Sequence, residues 1–265
     1  MPHATLPDGA RLAYTVHPAA PGATGPGVLL LAGQALAGSS WAPVVEDFRA
    51  AGPVITFDHR GIGASDDVFP RGWSTRDCAA DALAVLDAAR ADGALGDAVD
   101  VYGFSMGGRA AQWLAADHPD RVRRLILGAT TVGDAHGVPR PSEVLRILVR
   151  SDRRALLELF FTPDWLAANP GAAEAIIAQP RSLPAQRAHF AASTDHDAWA
   201  ALPWIAAPTL VLHGAQDHMC PAENAGILHA AIAGAGLRVY PGMRHGYHLQ
   251  EPAATADALE FLTAP

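Results

Sequence analysis

Lysine is absent from this chain of 265 residues: all 19 basic side chains are arginine. That removes the side-chain amine needed for a Schiff base with a carbonyl substrate or with pyridoxal phosphate, and the phosphate-binding lysine of a P-loop. Cysteine is scarce as well. Cys78 and Cys220 are too few for a disulfide framework, although one bridge between them stays open. No stretch approaches the roughly 18 uncharged apolar residues of a membrane span. The opening Met1-Pro2-His3-Ala4-Thr5 has no charged segment followed by an apolar run, so no leader is expected and the expected location is the cytoplasm. There is no excess of positive charge either. A net charge of −8 argues against nucleic acid or an anionic membrane surface as partner.

Hydrophobic residues make up 50% of the chain and charged residues 17%, which supports a sizeable core and excludes the disordered class. The length suits one large domain with a small insertion, not two catalytic domains. Short runs at 28–31, 54–57, 99–102 and 209–212 read as buried strands, with further strands at 125–127 and 237–240 and an edge strand at 11–17. Helical spacing falls between them, at 41–51, 74–91, 106–117, 222–233 and 252–262. Strands alternating with helices predict a mostly parallel sheet with helices on both faces. Residues 134–203 break the rhythm. They carry helical patterns cut by Pro139, Pro141, Pro163, Pro170, Pro180 and Pro184. A helical cap, inserted into a core formed by 1–133 and 204–265, is the simplest reading. It would cover the C-terminal edge of the sheet, where open α/β sheets bind ligands.

Gly103-Phe104-Ser105-Met106-Gly107-Gly108 lies where a predicted strand meets a predicted helix. Such a turn lifts a serine hydroxyl above the sheet at a helix N-terminus. The Met106 N–H and the helix dipole can there stabilise a developing oxyanion. A glycine-rich turn that merely packs would show the same letters. A serine hydroxyl is a weak nucleophile and needs a base, and the base needs an orienting carboxylate. Two later strands run into suitable candidates. Asp217 follows 209–212 in His213-Gly214-Ala215-Gln216-Asp217, and His245 follows 237–240 in Pro241-Gly242-Met243-Arg244-His245. Asp134 is the reserve acid, Asp195 and Asp197 fit less well, and His248 competes with His245. The loop Ala32-Gly33-Gln34 after the first buried strand offers a second oxyanion donor, the Gln34 N–H.

These landmarks resemble the α/β-hydrolase superfamily along nearly the whole chain. Within it the sequence looks most like small bacterial esterases and lactonases, including the 3-oxoadipate enol-lactone hydrolases, and like methylesterases that tailor polyketides. The resemblance implies a Ser105, Asp217, His245 triad with Gln34 and Met106 as oxyanion donors. It implies only an architectural role for Asp58-His59-Arg60-Gly61 through Ser65. It also marks a departure: the family commonly has a histidine where this chain has Ala32, which puts the rigidity of that loop in question. Hydrolysis of a small, largely apolar ester or lactone through an acyl-enzyme is the expected function, with no metal or organic cofactor. C–C bond hydrolases, perhydrolases and non-hydrolytic cyclases use the same three residues, and a receptor can keep the pocket. Phe160, Phe161, Trp165 and His248 are candidate substrate contacts, along with Leu156, Leu157 and Leu159. Arg150, Arg153 and Arg154 are candidate anion contacts or simply solvated helix faces.

Overall fold

The computed structural model describes residues 1–150, 152–177 and 182–264; Pro180 lies outside them. Eight strands form one sheet: β1 (His3–Thr5), β2 (Arg11–His17), β3 (Val28–Leu31), β4 (Val54–Phe57), β5 (Val99–Phe104), β6 (Val122–Gly128), β7 (Thr209–Gly214) and β8 (Gly236–Tyr240). Their spatial order is β1-β2-β4-β3-β5-β6-β7-β8. The pairs β1–β2 and β2–β4 are antiparallel, and every later pair is parallel. This is the mostly parallel sheet expected from the strand and helix rhythm, in the α/β-hydrolase arrangement that the resemblance implied. β1, only three residues long, is too short to leave a periodic signal.

The central strands are covered on both faces, which explains why they read as unbroken apolar runs. Leu29, Leu31, Val101, Leu125 and Leu127 point into one core layer, with Val85 of α2 (Thr75–Ala91, after the short α1 at Val45–Phe48), Leu114 of α3 (Met106–Asp117) and Leu228. Val28, Leu30, Tyr102 and Ile126 point into the other, with Trp41, Phe48 and Leu262. The expected helix at 41–51 is instead a 3₁₀ turn at Gly38–Trp41, the short α1, and a second 3₁₀ turn at Arg49–Ala51. Pro43 lacks the N–H that a continuous helix would use there.

Between β6 and β7 the described residues form α4 (Ser142–Arg150), α5 (Arg153–Phe160), α6 (Pro163–Ala168), α7 (Pro170–Ile177) and α8 (Leu183–Thr194). The prolines start these helices more than they break them. Pro163 and Pro184 occupy the first turns of α6 and α8, behind the capping hydroxyls of Thr162 and Ser182. The chain then closes with α9 (Glu223–Ala231) and α10 (Pro252–Thr263). No helix among the described residues is long and apolar enough to cross a membrane.

The junction of β5 and α3 is set by close contact. A Cβ on Gly107 would sit 2.3 Å from the Leu31 carbonyl oxygen, and one on Gly103 would sit 2.5 Å from the Gly107 oxygen. Helix α3 therefore starts directly against the end of β3. Gly107→Ala should lower the unfolding free energy by about 1–3 kcal/mol through this overpacking. Gly226→Ala, in α9 with open space around the new methyl, should raise it by about 0.5–1 kcal/mol. Urea unfolding of both variants measures the contrast.

Candidate active site

Ser105 links β5 to α3 with φ 55° and ψ −116°, a region that non-glycine residues rarely adopt. Such a conformation costs about 1–3 kcal/mol and persists only where its surroundings enforce it. Here the Ser105 N–H donates to the Gly128 carbonyl at 2.8 Å, and Thr130 Oγ1 donates to the Ser105 carbonyl at 2.8 Å. The half-buried hydroxyl of Ser105 is left facing His245.

The structure brings Ser105, His245 and Asp217 together from the ends of β5, β8 and β7. His245 donates Nδ1–H to Asp217 Oδ2 at 2.7 Å, and its Nε2 accepts the Ser105 hydroxyl at 3.1 Å. The imidazole is 1% exposed and packs against the rings of Phe104 and Phe160, with centroids at 4.9 and 5.1 Å. Asp217 is held as firmly. Its Oδ1 accepts the Met219 and Cys220 N–H groups at 2.8 and 2.9 Å. Its Oδ2 also lies 3.2 Å from Nε2 of His213, which donates to the Cys220 carbonyl at 2.9 Å. Burial works to raise the Asp217 carboxyl, but His245 and His213 outweigh it and hold the group well below the usual carboxylate range.

The competing candidates lie elsewhere. Asp134, Asp195 and Asp197 are exposed. His248 is packed among Trp41, Tyr102 and Phe104, its centroid 4.2 Å from that of Phe104. Burial and then the neighbouring His245 push it down to about 3, so it stays neutral. Cys78 and Cys220 are both buried and unbridged. Among the described residues no group of three or more His, Cys, Asp or Glu side chains is arranged to hold a metal ion.

Ser105 opens into a cavity of about 440 Å³, a size suited to a small organic molecule. Gln34, Leu36 and Phe104 line it together with Ser105, as do Leu156 and Phe160 of α5. Phe161 and Trp165 are stacked on each other at 4.4 Å. They and His248 are not lining residues. Arg153 pairs with Glu174 and Arg154 with Glu158, while Arg150 is exposed. The arginines that reach the cavity are Arg140 and Arg187, which sequence reasoning did not single out.

Sequence reasoning also missed what steadies the loop after β3. His59 donates Nε2–H to the Ala32 carbonyl at 3.0 Å, while its Nδ1 accepts the Cys78 thiol at 3.3 Å. His189 of α8 donates Nε2–H to the Arg60 carbonyl at 2.9 Å and accepts the Ala35 N–H on Nδ1 at 3.3 Å. Two histidines from distant segments thus brace a loop that lacks its own. His59 carried a signal, as a histidine directly after a buried strand. His189 carried none, because its partner is 154 residues away.

The family model described as serine aminopeptidase, S33, matches residues 27–253. The RutD protein of a Caulobacter species, whose name proposes a carbamate hydrolase, is 28% identical over 254 residues, covering 89% of this chain and 90% of that protein. An N-acyl homoserine lactone degrading enzyme superposes with a TM-score of 0.80 at 28% identity, covering 98% and 99% of the two chains. An enol-lactonase from Burkholderia xenovorans shares the fold, with a TM-score of 0.83 at 24% identity over 99% of this chain and all of that one.

The depressed Asp217 carboxyl makes a stability prediction. Its contribution is fully present above the unfolded carboxylate value of about 4. It is lost as the pH falls below that, because the unfolded chain then binds a proton that the folded state refuses. Unfolding free energy measured from pH 6 down to pH 3 should therefore fall more steeply for the wild type than for Asp217→Asn.

Proposed function

The chain belongs to the family described as serine aminopeptidase, S33, within the α/β-hydrolases, and on that premise we propose that it is a serine hydrolase cleaving a small carboxylic ester or lactone. One observation carries the reading. A continuous hydrogen-bond relay, Asp217 to His245 to Ser105 at 2.7 and 3.1 Å, ends on a strained serine that lines the cavity. That is the geometry of an activated nucleophile. The lactone-degrading neighbour at 28% identity supports the substrate class.

In this mechanism His245 Nε2 takes the Ser105 proton as Oγ forms a bond to the substrate carbonyl carbon. The carbonyl π electrons move to oxygen, and the backbone N–H groups of Gln34 and Met106 hold the resulting oxyanion. Collapse expels the alkoxide, which takes the proton from His245. Water then adds to the acyl-enzyme with His245 again as base, the Ser105–acyl bond breaks as His245 returns that proton to Oγ, and the acid leaves. Asp217 fixes the imidazole tautomer and stabilises its charged form throughout. His59 and His189 act as positioning residues for the oxyanion loop. Residues 134–203 serve as the cap that shapes the acyl or alcohol site, and α5 already supplies Leu156 and Phe160 to the cavity.

A carbamate carbonyl is open to the same attack, and the RutD relative favours that second reading. Its signature would be turnover of an O-aryl carbamate at a rate matching the corresponding acetate. The primary test is a p-nitrophenyl acetate assay with fluorophosphonate labelling. Ser105→Ala should lose about 10⁴–10⁶ in turnover and all labelling; near-native turnover in that variant would sink the reading. His189→Ala, with the relay intact, should lower kcat about tenfold with little change in KM.

A further inference from the structure

Two imidazoles reach Asp217, and the mechanism above uses only one of them. The other, His213, stands near the end of β7. Its Nε2 lies 2.9 Å from the Cys220 carbonyl oxygen and 3.2 Å from Asp217 Oδ2. Neither of these oxygens donates, so Nε2 carries a proton in every state of the ring. Oδ2 is also the oxygen that accepts His245 Nδ1–H at 2.7 Å. The two rings therefore share one carboxylate oxygen, and the side chains of His213 and Asp217 are both wholly enclosed.

Orientation of the carboxylate does not require His213. Oδ1 already accepts the Met219 and Cys220 amides, and His245 takes Oδ2. What His213 adds is charge. A buried carboxylate is costly without a counter-ion, and a protonated ring at 213 provides one. Burial opposes a charge on His213, but Asp217 and Cys220 outweigh it and push the imidazole up to about 10. Its Nδ1 has no hydrogen-bond partner, so the ring acts through Nε2 alone. The other titratable or charged groups around the pair come from four directions. The Cys220 thiol lies in the same loop, next to the uncharged Asn224 of α9. His245 comes from the loop after β8. Arg140 approaches from the segment before α4, where it donates Nε–H to the Met219 carbonyl at 2.9 Å. The Tyr247 hydroxyl is bonded to that of Tyr102 at 2.7 Å, and burial pushes it well above the usual phenol range.

We propose that His213 is a positioning residue that sets the strength of the base: as a cation on Asp217 Oδ2 it takes up part of the carboxylate charge, so that Asp217 orients His245 without holding it protonated. This rests on the serine-hydrolase reading above. A carboxylate freed of His213 would act on His245 with its whole charge. The imidazolium would be stabilised, and His245 would keep its proton up to a higher pH, where it cannot take that of Ser105. With His213 in place the relay is ready at lower pH. His213 acts only through Asp217 and takes no part in bond making.

The test is the acid limb of the kcat/KM profile for p-nitrophenyl acetate. His213→Gln keeps an N–H for Asp217 but cannot carry a charge. The midpoint of the limb should rise in this variant by about one pH unit. One unit below the wild-type midpoint, kcat/KM should then fall about tenfold beyond any change in the plateau. A merely structural role would scale every rate alike and leave the midpoint in place. An unmoved or lowered midpoint overturns the proposal. A second measurement needs no variant. In ¹⁵N NMR of histidine-labelled wild-type protein at pH 8, one imidazole should have both ring nitrogens protonated; a spectrum in which every ring is neutral at that pH overturns the proposal. Either failure leaves the serine mechanism standing. Retained turnover in Ser105→Ala, or a wild type that is not labelled by the fluorophosphonate, overturns the mechanism and with it the role assigned to His213.

Discussion

The architecture around the site depends on one buried negative charge. The Asp217 side chain is wholly enclosed, and an isolated carboxylate in such a place costs several kcal/mol unless donors surround it. It is surrounded on both oxygens. The Met219 and Cys220 amides come from its own loop, His213 from β7 and His245 from the loop after β8. Satisfying the charge therefore ties the ends of two neighbouring strands together. Backbone bonds add to the tie, from Gln216 N–H to the Met243 carbonyl and from Ala215 N–H to the Tyr240 carbonyl. Gly214 permits it, since a Cβ there would sit 2.4 Å from the Arg244 oxygen. Once His245 is fixed by its Nδ1 bond, its Nε2 has one direction left, toward Ser105.

How much of this was legible in the sequence follows from what each feature depends on. Ser105, Asp217 and His245 were legible because each follows a strand, and a parallel sheet brings all its C-terminal strand ends to one edge. Strand periodicity therefore carried three-dimensional information about residues up to 140 positions apart. Arg140 and His189 had no such carrier. Both sit in the helical segment, where short helices of six to twelve residues pack without a repeating lattice, so position along the chain says little about position in space. The three arginines singled out by sequence, Arg150, Arg153 and Arg154, lie on α4 and α5 faces that point to solvent or to nearby glutamates. Arg140, just before α4, and Arg187, on α8, reached the cavity instead. Similarly, Phe161 and Trp165 have the composition of a pocket wall, but they spend their rings on each other.

The same helical segment is bonded to both sides of the relay. From α5, the Leu159 carbonyl accepts the His245 N–H at 3.3 Å and the Phe160 carbonyl accepts the Gly246 N–H at 2.7 Å. From α8, His189 holds the Ala35 N–H. One anchor thus shapes the loop of His245, and the other shapes the loop that carries Gln34. Phe160 does two things at once: its backbone holds the His245 loop while its ring packs on the imidazole and faces the cavity. On the proposed reading, substrate selection and the alignment of reacting groups are therefore not separable modules. A side chain on α5 can change what fits in the cavity while its carbonyl keeps His245 in place. A change in the path of the α5 backbone cannot spare the base. On the proposed reading, specificity can drift by exchanging side chains on a fixed cap backbone. Wholesale replacement of the cap would cost the geometry of the relay as well.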